Sequence, residues 1–161
     1  MLKLMYITNV PEIASIADRA GVDRIFIDLE RYGKEKRQKN WDSVKSKHSI
    51  SDIPKVKAAV KNAQIFVRTD PVFDGFADEL EGVLACRPDV VMLPYFKTVR
   101  EVETFIKAVD GRAKTSILLE TREAAELIDD IISVGGIDEI HIGLNDLSHS
   151  YGKKFLFEEL A

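Results

Sequence analysis

The chain has a single cysteine, Cys86. One thiol cannot build an internal disulfide framework, so the fold must stand on its core, and such cysteine usage fits a reducing compartment. Long apolar runs are missing as well, and none approaches the roughly 20 residues needed to span a bilayer. The opening Met1-Leu2-Lys3-Leu4-Met5-Tyr6 is apolar but too short for a signal peptide, and acidic residues follow soon after. Basic charge is not in excess: 23 Lys and Arg against 27 Asp and Glu give a net charge of -4. With a pI near 5.5, there is no broad positive field, and nucleic acid is not an expected partner. These absences point to a cytoplasmic protein with no membrane partner. What is present is core material: 45% of the 161 residues are hydrophobic, enough for one domain over 1–161.

The apolar residues fall into short runs separated by amphipathic segments. Strand-type runs are Leu4–Ile7, Arg24–Ile27, Ile65–Val67, Val90–Leu93, Ser116–Leu119 and Glu139–Ile142. Most are continuous rather than alternating, as in parallel strands covered on both faces. Pro11–Ala20 places Ile13, Ile16, Ala17 and Ala20 on one helical face and runs into Gly21, a C-terminal stop. Val99–Val109 and Thr121–Ile132 carry similar stripes, and Cys86 follows the helical pattern Leu80-Val83-Leu84, where core packing accounts for it. Repeated strand-helix units predict an α/β fold with a parallel sheet and right-handed crossovers. A closed (β/α) barrel of the TIM type uses eight units in roughly 250 residues. Six units in 161 residues therefore read as a barrel lacking its last quarter, either a fragment or a gene ending early. An open six-stranded sheet is the alternative. Arg31–Ser49, which is Lys-rich and contains Tyr32, Trp41 and His48, interrupts the pattern. A segment of that length is usually functional or mobile. The Lys34–Lys47 charge run within it is expected to be a solvated face, with a phosphate or coenzyme A contact as the lesser reading.

In a parallel βα-repeat fold the C-terminal strand ends converge on one rim, where chemistry is placed. That rim would carry Asn9, then Asp28, Glu30 and Arg31, then Arg68 and Asp70, then Pro94 and Lys97, Glu120, and finally Asn145 and Asp146. The acids repel one another unless a cation or the arginines neutralise them. An oxygen-only donor set with open water positions suits Mg²⁺ or Mn²⁺, and disfavours zinc because no His or Cys stands at these ends. Each residue also has a plainer role. Glu120 would cap the following helix, Asn145-Asp146 would form an ordinary capped turn, and Asp28 and Glu30 would pair with Arg31 or Arg68. His141 is expected to be a core or helix-facing residue, and His48 and His149 solvated loop residues.

Five motifs in order, Ile27-Asp28-Leu29-Glu30, Val67-Arg68, Val91-Met92-Leu93-Pro94, Leu119-Glu120-Thr121 and Gly143-Leu144-Asn145-Asp146-Leu147-Ser148, resemble the HpcH/HpaI aldolase/citrate lyase family. The resemblance covers nearly the whole chain. It implies a (β/α)₈ barrel of the phosphoenolpyruvate/pyruvate-binding type. It also implies a divalent-metal-dependent carbon-carbon lyase acting on a 2-keto acid, such as pyruvate or oxaloacetate, through a metal-bound enolate. On the matching positions, Glu120 and Asp146 would bind Mg²⁺ or Mn²⁺, and Arg68 would contact the keto acid and stabilise the enolate. Asp28 would hold the active-site solvent or base. Glu30, Leu144 and Asn145 would meet the substrate, the last two through backbone N–H groups opening the next turn.

The chain departs from the family pattern in its missing last two strands, in a Lys-rich loop that does not clearly reproduce the acyl-CoA arginine of the citrate lyase branch, and at the base. The pyruvate aldolase branch has a proton-transferring His three residues after the position of Asp28, where this chain has Arg31. A guanidinium does not give up its proton in a protein, so His48 is the nearest replacement in sequence. The second reading is a non-catalytic truncated barrel, acting as a binding or partner-dependent subunit. In either case an exposed barrel edge invites association, and a homo-oligomer is expected.

Overall fold

The computed structural model describes residues 2–31 and 47–153. Tyr32, Trp41, most of the Lys34–Lys47 charge run and the C-terminal segment from Lys154 lie outside the described residues. Strands and helices alternate, with two helices between the last two strands: β1 (Met5–Ile7), α1 (Pro11–Arg19), β2 (Arg24–Asp28), α2 (Asp52–Ala59), β3 (Gln64–Arg68), α3 (Phe76–Ala85) and β4 (Val90–Leu93) come first. Then follow α4 (Val99–Val109), β5 (Lys114–Leu119), α5 (Arg122–Glu126), α6 (Ile128–Ser133), β6 (Glu139–Ile142) and α7 (Leu144–Ser150). All five pairings are parallel and the sheet order is β1-β2-β3-β4-β5-β6. A sheet that adds each strand beside the last in sequence order is the wall of a TIM-type barrel, here six strands of it.

The helices start and stop where their sequences dictate. Pro11 opens α1, where its missing N–H costs nothing, and Gly21, at φ +87°, takes the left-handed turn after it. α4 opens on a capping box: Thr98 accepts from the Glu101 N–H while Glu101 accepts from the Thr98 N–H. The single helix expected over Thr121–Ile132 is instead two short ones. Leu127, at φ −109° and ψ 15°, leaves the helical ladder, which lets Ala124 and Ile131 both reach the core. α2 was not expected, and Asp18 of α1 explains how its exit is held. The buried Asp18 carboxylate accepts the N–H groups of Lys61, Asn62 and Ala63, and those bonds from Lys61 and Ala63 hold its pKa below the ordinary range.

Side-chain alternation splits each strand between two environments. Ile25 and Ile27, Ile65 and Val67, Val91 and Leu93, and Ile117 face outward and pack with the helices into the main core. Each such burial is worth roughly 1.5–3 kcal/mol relative to exposure. The residues between them face the concave side, where Phe66, Val90, Met92 and Leu118 form a second, smaller cluster with Phe26 against it. Phe26 and Phe66 meet edge to face at 5.3 Å.

The concavity is steep. Arg24 of β2 binds Glu139 of β6 through two bonds of 2.6 and 2.5 Å, and Phe66 of β3 lies 5.5 Å from the His141 ring of β6. A flat sheet with strands about 4.8 Å apart would hold β2 and β6 far beyond such reach. Among the described residues no helix is long and apolar enough to cross a membrane.

Candidate active site

The concave face opens at the C-terminal ends of the strands into a cavity of about 430 Å³. Asp28, Glu30, Arg68, Glu120, Asn145 and Asp146 line its upper part, together with Gly143 and Leu144. Phe26, Met92, Leu118 and His141 form its floor. Strand register accounts for the convergence, because Asp28 pairs with Arg68 and Arg68 with Met92. Leu118 pairs with His141 in the same inward series, with Glu120 and Gly143 the next inward pair. His141 is therefore a lumen residue, against the expectation of a core or helix-facing one. Its pairing with Leu118 fixes the side it faces, and its Nε2 lies 3.5 Å from Glu139.

Arg68 is the centre of the charge network. Its Nε and Nη2 bind the two oxygens of Asp28 at 2.9 Å each. Nη2 also lies 3.3 Å from Glu30, and the guanidinium sits over the Phe26 ring at 5.5 Å. Burial works against its charge, but Asp28, Glu30 and Glu120 outweigh that and raise its pKa further. The salt-bridge reading of Asp28 and Glu30 and the pocket reading therefore coincide: both acids pair with Arg68 while lining the cavity.

Glu120 is not a helix cap. Thr121 caps α5 instead, accepting the Ala124 N–H. Glu120 is 5% exposed, and burial, then Glu30, then Asp146 push its carboxyl up to about 8. Nor do Asn145 and Asp146 form a capped turn, for they lie inside the first turn of α7 behind Gly143.

Other rim residues point elsewhere. Asn9 donates to Asp52, Asp70 accepts the Arg31 N–H, and Lys97 pairs with Glu123. None of these, nor Pro94, lines the cavity. His48 is buried, not solvated. Its Nδ1 accepts the N–H of Asp28 at 3.0 Å, and burial lowers its pKa. It takes the place a β1 carbonyl would occupy beside the end of β2, since the β1–β2 ladder closes one step earlier, at Thr8 N–H to Phe26 O. The Arg31 guanidinium donates to the His48 carbonyl. Sequence reasoning also missed Tyr95, whose N–H donates to Glu120 Oε1 at 2.9 Å from a backbone φ of +48°. No sequence signal marks a tyrosine for that conformation.

The donor set fits a hard divalent cation. Among the described residues four carboxylates and one guanidinium line the cavity, an excess of negative charge there that the raised Glu120 reports. Among the described residues no three His, Cys, Asp or Glu side chains form a ready-made cage. A pair of carboxylates completed by water and substrate is the usual Mg²⁺ arrangement.

A model of the HpcH/HpaI aldolase/citrate lyase family matches residues 3–157. The chain belongs to this family. Among solved structures, a family protein from Burkholderia cenocepacia J2315 superposes with a TM-score of 0.76 at 13% identity, over 97% of this chain and 69% of that one. Citrate synthase SbnG gives a TM-score of 0.76 at 18% identity, over 98% of this chain and 67% of that one. The citrate lyase beta subunit from M. tuberculosis, complexed with oxaloacetate and magnesium, gives 0.58 at 21% identity, over 94% of this chain and 61% of that one. Identities this low show a shared fold. The chain thus spans about 61 to 69% of the length of these neighbours. No curated protein matches it in sequence.

Proposed function

We propose that this family member makes or breaks a carbon-carbon bond next to the carbonyl of a 2-keto acid, such as pyruvate or oxaloacetate, at a Mg²⁺ or Mn²⁺ ion held by Glu120 and Asp146. The observation that carries this reading is the buried Glu120 beside Asp146, facing a cavity also lined by the Arg68 guanidinium. A 2-keto acid brings a carboxylate and an adjacent carbonyl oxygen, hard donors of the kind such a cation takes. The cation, when bound, supplies Lewis-acid polarisation of that carbonyl.

The chain's own residues do the rest. Arg68 is pinned by Asp28 and Glu30, so its remaining N–H groups are oriented before substrate arrives. It would stabilise the oxygen on which negative charge grows, an interaction that strengthens in the transition state. Leu144 and Asn145 close the side of the cavity, and Phe26, Met92 and Leu118 exclude water from its floor. His48 has a supporting role in this reading. With Nδ1 accepting from Asp28 and the neutral ring's proton on Nε2, it has no open lone pair with which to take a proton. It holds the end of β2, and through it Asp28 and Arg68. Arg31 cannot be the base either.

The test is calorimetric titration of Mg²⁺ or Mn²⁺ together with pyruvate or oxaloacetate into wild type and Glu120→Ala. Binding to the wild type alone is expected, and equal binding in both would overturn the metal assignment. Retro-aldol turnover across a panel of 4-hydroxy-2-keto acids then identifies the substrate.

A second reading, a partner-dependent binding subunit, is favoured by one feature. Exposed large apolar side chains gather at the two sheet edges: Leu4, Tyr6, Ile7 and Ile16 on the β1 side, and Ile132, Ile140 and Ile142 on the β6 side. In this proposal the edges are covered by self-association into a homo-oligomer. Light scattering on the purified chain separates the two: a stable, active monomer would rule this one out.

A further inference from the structure

Glu120 is gripped from both neighbouring strands. On the β4 side, the Tyr95 N–H donates to Oε1 at 2.9 Å. Tyr95 achieves this with φ at +48°, a left-handed backbone that is strained for a residue with a Cβ. On the β6 side stands Gly143, at φ −90° and ψ 81°, a conformation open to any residue. Its glycine is required by space: a Cβ there would lie 2.8 Å from Glu120 Cβ, 2.9 Å from Oε2 and 3.3 Å from Leu118 Cδ1. Two independent features, a strained amide and a bare Cα, thus converge on one carboxylate that is 5% exposed.

We propose that Tyr95 and Gly143 are positioning residues that make Glu120 a one-oxygen ligand and so select the cation. The Tyr95 amide occupies Oε1, and the bare Gly143 Cα lets the carboxylate lie against β6 with Oε2 left for the ion. Mg²⁺ and Mn²⁺ are small and octahedral, and take a carboxylate through one oxygen. Ca²⁺ is larger and readily accepts both oxygens at longer distance. The grip therefore favours the smaller ions. Tyr95 contributes through its backbone, so any residue tolerant of a left-handed φ serves there. Asn is the best substitute with a side chain, and β-branched Val is among the worst.

This inference rests on Glu120 being a metal ligand, and the experiment separates the two claims. Mn²⁺ and Ca²⁺ are titrated by calorimetry into the full chain as wild type, Tyr95→Asn, Tyr95→Val and Gly143→Ala, with circular dichroism confirming that each is folded. The expected result is wild-type Mn²⁺ affinity in Tyr95→Asn and about a tenfold loss in Tyr95→Val and Gly143→Ala, the lower end for residues that orient a ligand. The preference for Mn²⁺ over Ca²⁺ narrows in Tyr95→Val, where Oε1 is released. A wild type that binds neither ion overturns the metal reading itself. A wild type that binds Mn²⁺ while folded Gly143→Ala binds it equally well overturns the grip alone. Equal losses in Tyr95→Asn and Tyr95→Val overturn the backbone role and assign the effect to the tyrosine ring.

Discussion

Two charged networks lie inside the same curled sheet, one at each end, and they are built on different principles. At the N-terminal end, one arginine meets one carboxylate: Arg24 binds Glu139 through two short bonds, with the Arg24 side chain 3% exposed and the His141 ring at the edge of the pair. At the C-terminal end, Arg68 faces Asp28 and Glu30, with Glu120 and Asp146 beside them. Among the described residues the first network is balanced, whereas the second sets four carboxylates against one guanidinium. A buried pair with every charge answered is a structural element. A buried cluster with excess negative charge is costly unless something cationic arrives, which is how a binding site differs from a brace.

Substitutions at the two ends should therefore have opposite signatures. The largest effect on stability is expected from Arg24→Met, which takes from Glu139 its principal partner, leaves it only the His141 Nε2 at 3.5 Å, and costs about 3 kcal/mol in urea unfolding at pH 7, with Mn²⁺ affinity unchanged. Arg24, with a smaller contribution from His141 and against burial, holds the Glu139 carboxyl down to about 2, against an ordinary 4.5. That contribution is present above the ordinary value and lost as pH falls towards 2, so wild type should weaken through this window and Arg24→Met much less. Equal pH slopes would break the comparison at its balanced end.

Next in size is Glu120→Gln, which should lower Mn²⁺ affinity by roughly a hundredfold, about 2.7 kcal/mol. Stability without metal at pH 7 should hold or rise, because the amide fills the same buried place without the proton that a carboxyl pushed up to about 8 takes up on folding. A destabilised Glu120→Gln would place Glu120 with the braces.

The smallest effect sharpens the rule. Glu79 of α3 has a buried Oε2 with no hydrogen-bond partner, and burial pushes its carboxyl up to about 7, against the Asp70 N–H that donates to its other oxygen. Between its ordinary 4.5 and about 7, the folded chain holds a proton the unfolded chain has lost, so stability falls as pH rises. Glu79→Gln should remove this slope and stabilise the protein at pH 8 by on the order of 1 kcal/mol, as read from melts at pH 5 and pH 8.

The contrast also explains what was legible in the sequence. The six strands were readable because parallel strands covered on both faces are continuous apolar runs, and β4 and β6 emerged with the expected bounds. Register then carried Asp28, Arg68 and Glu120 to one place, so a strand-end list was a good guide to the rim. It was a poor guide to orientation: Asn9, Asp70 and Lys97 stand at strand ends yet turn to Asp52, Arg31 and Glu123. His141 was misplaced because the alternation of Glu139-Ile140-His141-Ile142 does not say which of its two faces is the lumen, and that side follows only from pairing with Leu118. His48 and Tyr95 were hidden for another reason. One acts through an Nδ1 aimed at a main-chain N–H, and the other through its own amide, so side-chain chemistry announced neither role.

The span of the Arg24–Glu139 contact has a kinetic consequence. It joins positions 115 apart in sequence, whereas each step of the ladder joins one strand to the next. Short loops close at lower entropic cost than long ones, so the ladder is expected to zip before the sheet curls. Asp28 and Arg68, on β2 and β3, meet the Glu120 and Asp146 end only after that last event. A cation bridging the last two would then bind a geometry that the transition state has yet to complete. Added Mn²⁺ should slow unfolding while leaving the folding rate nearly unchanged.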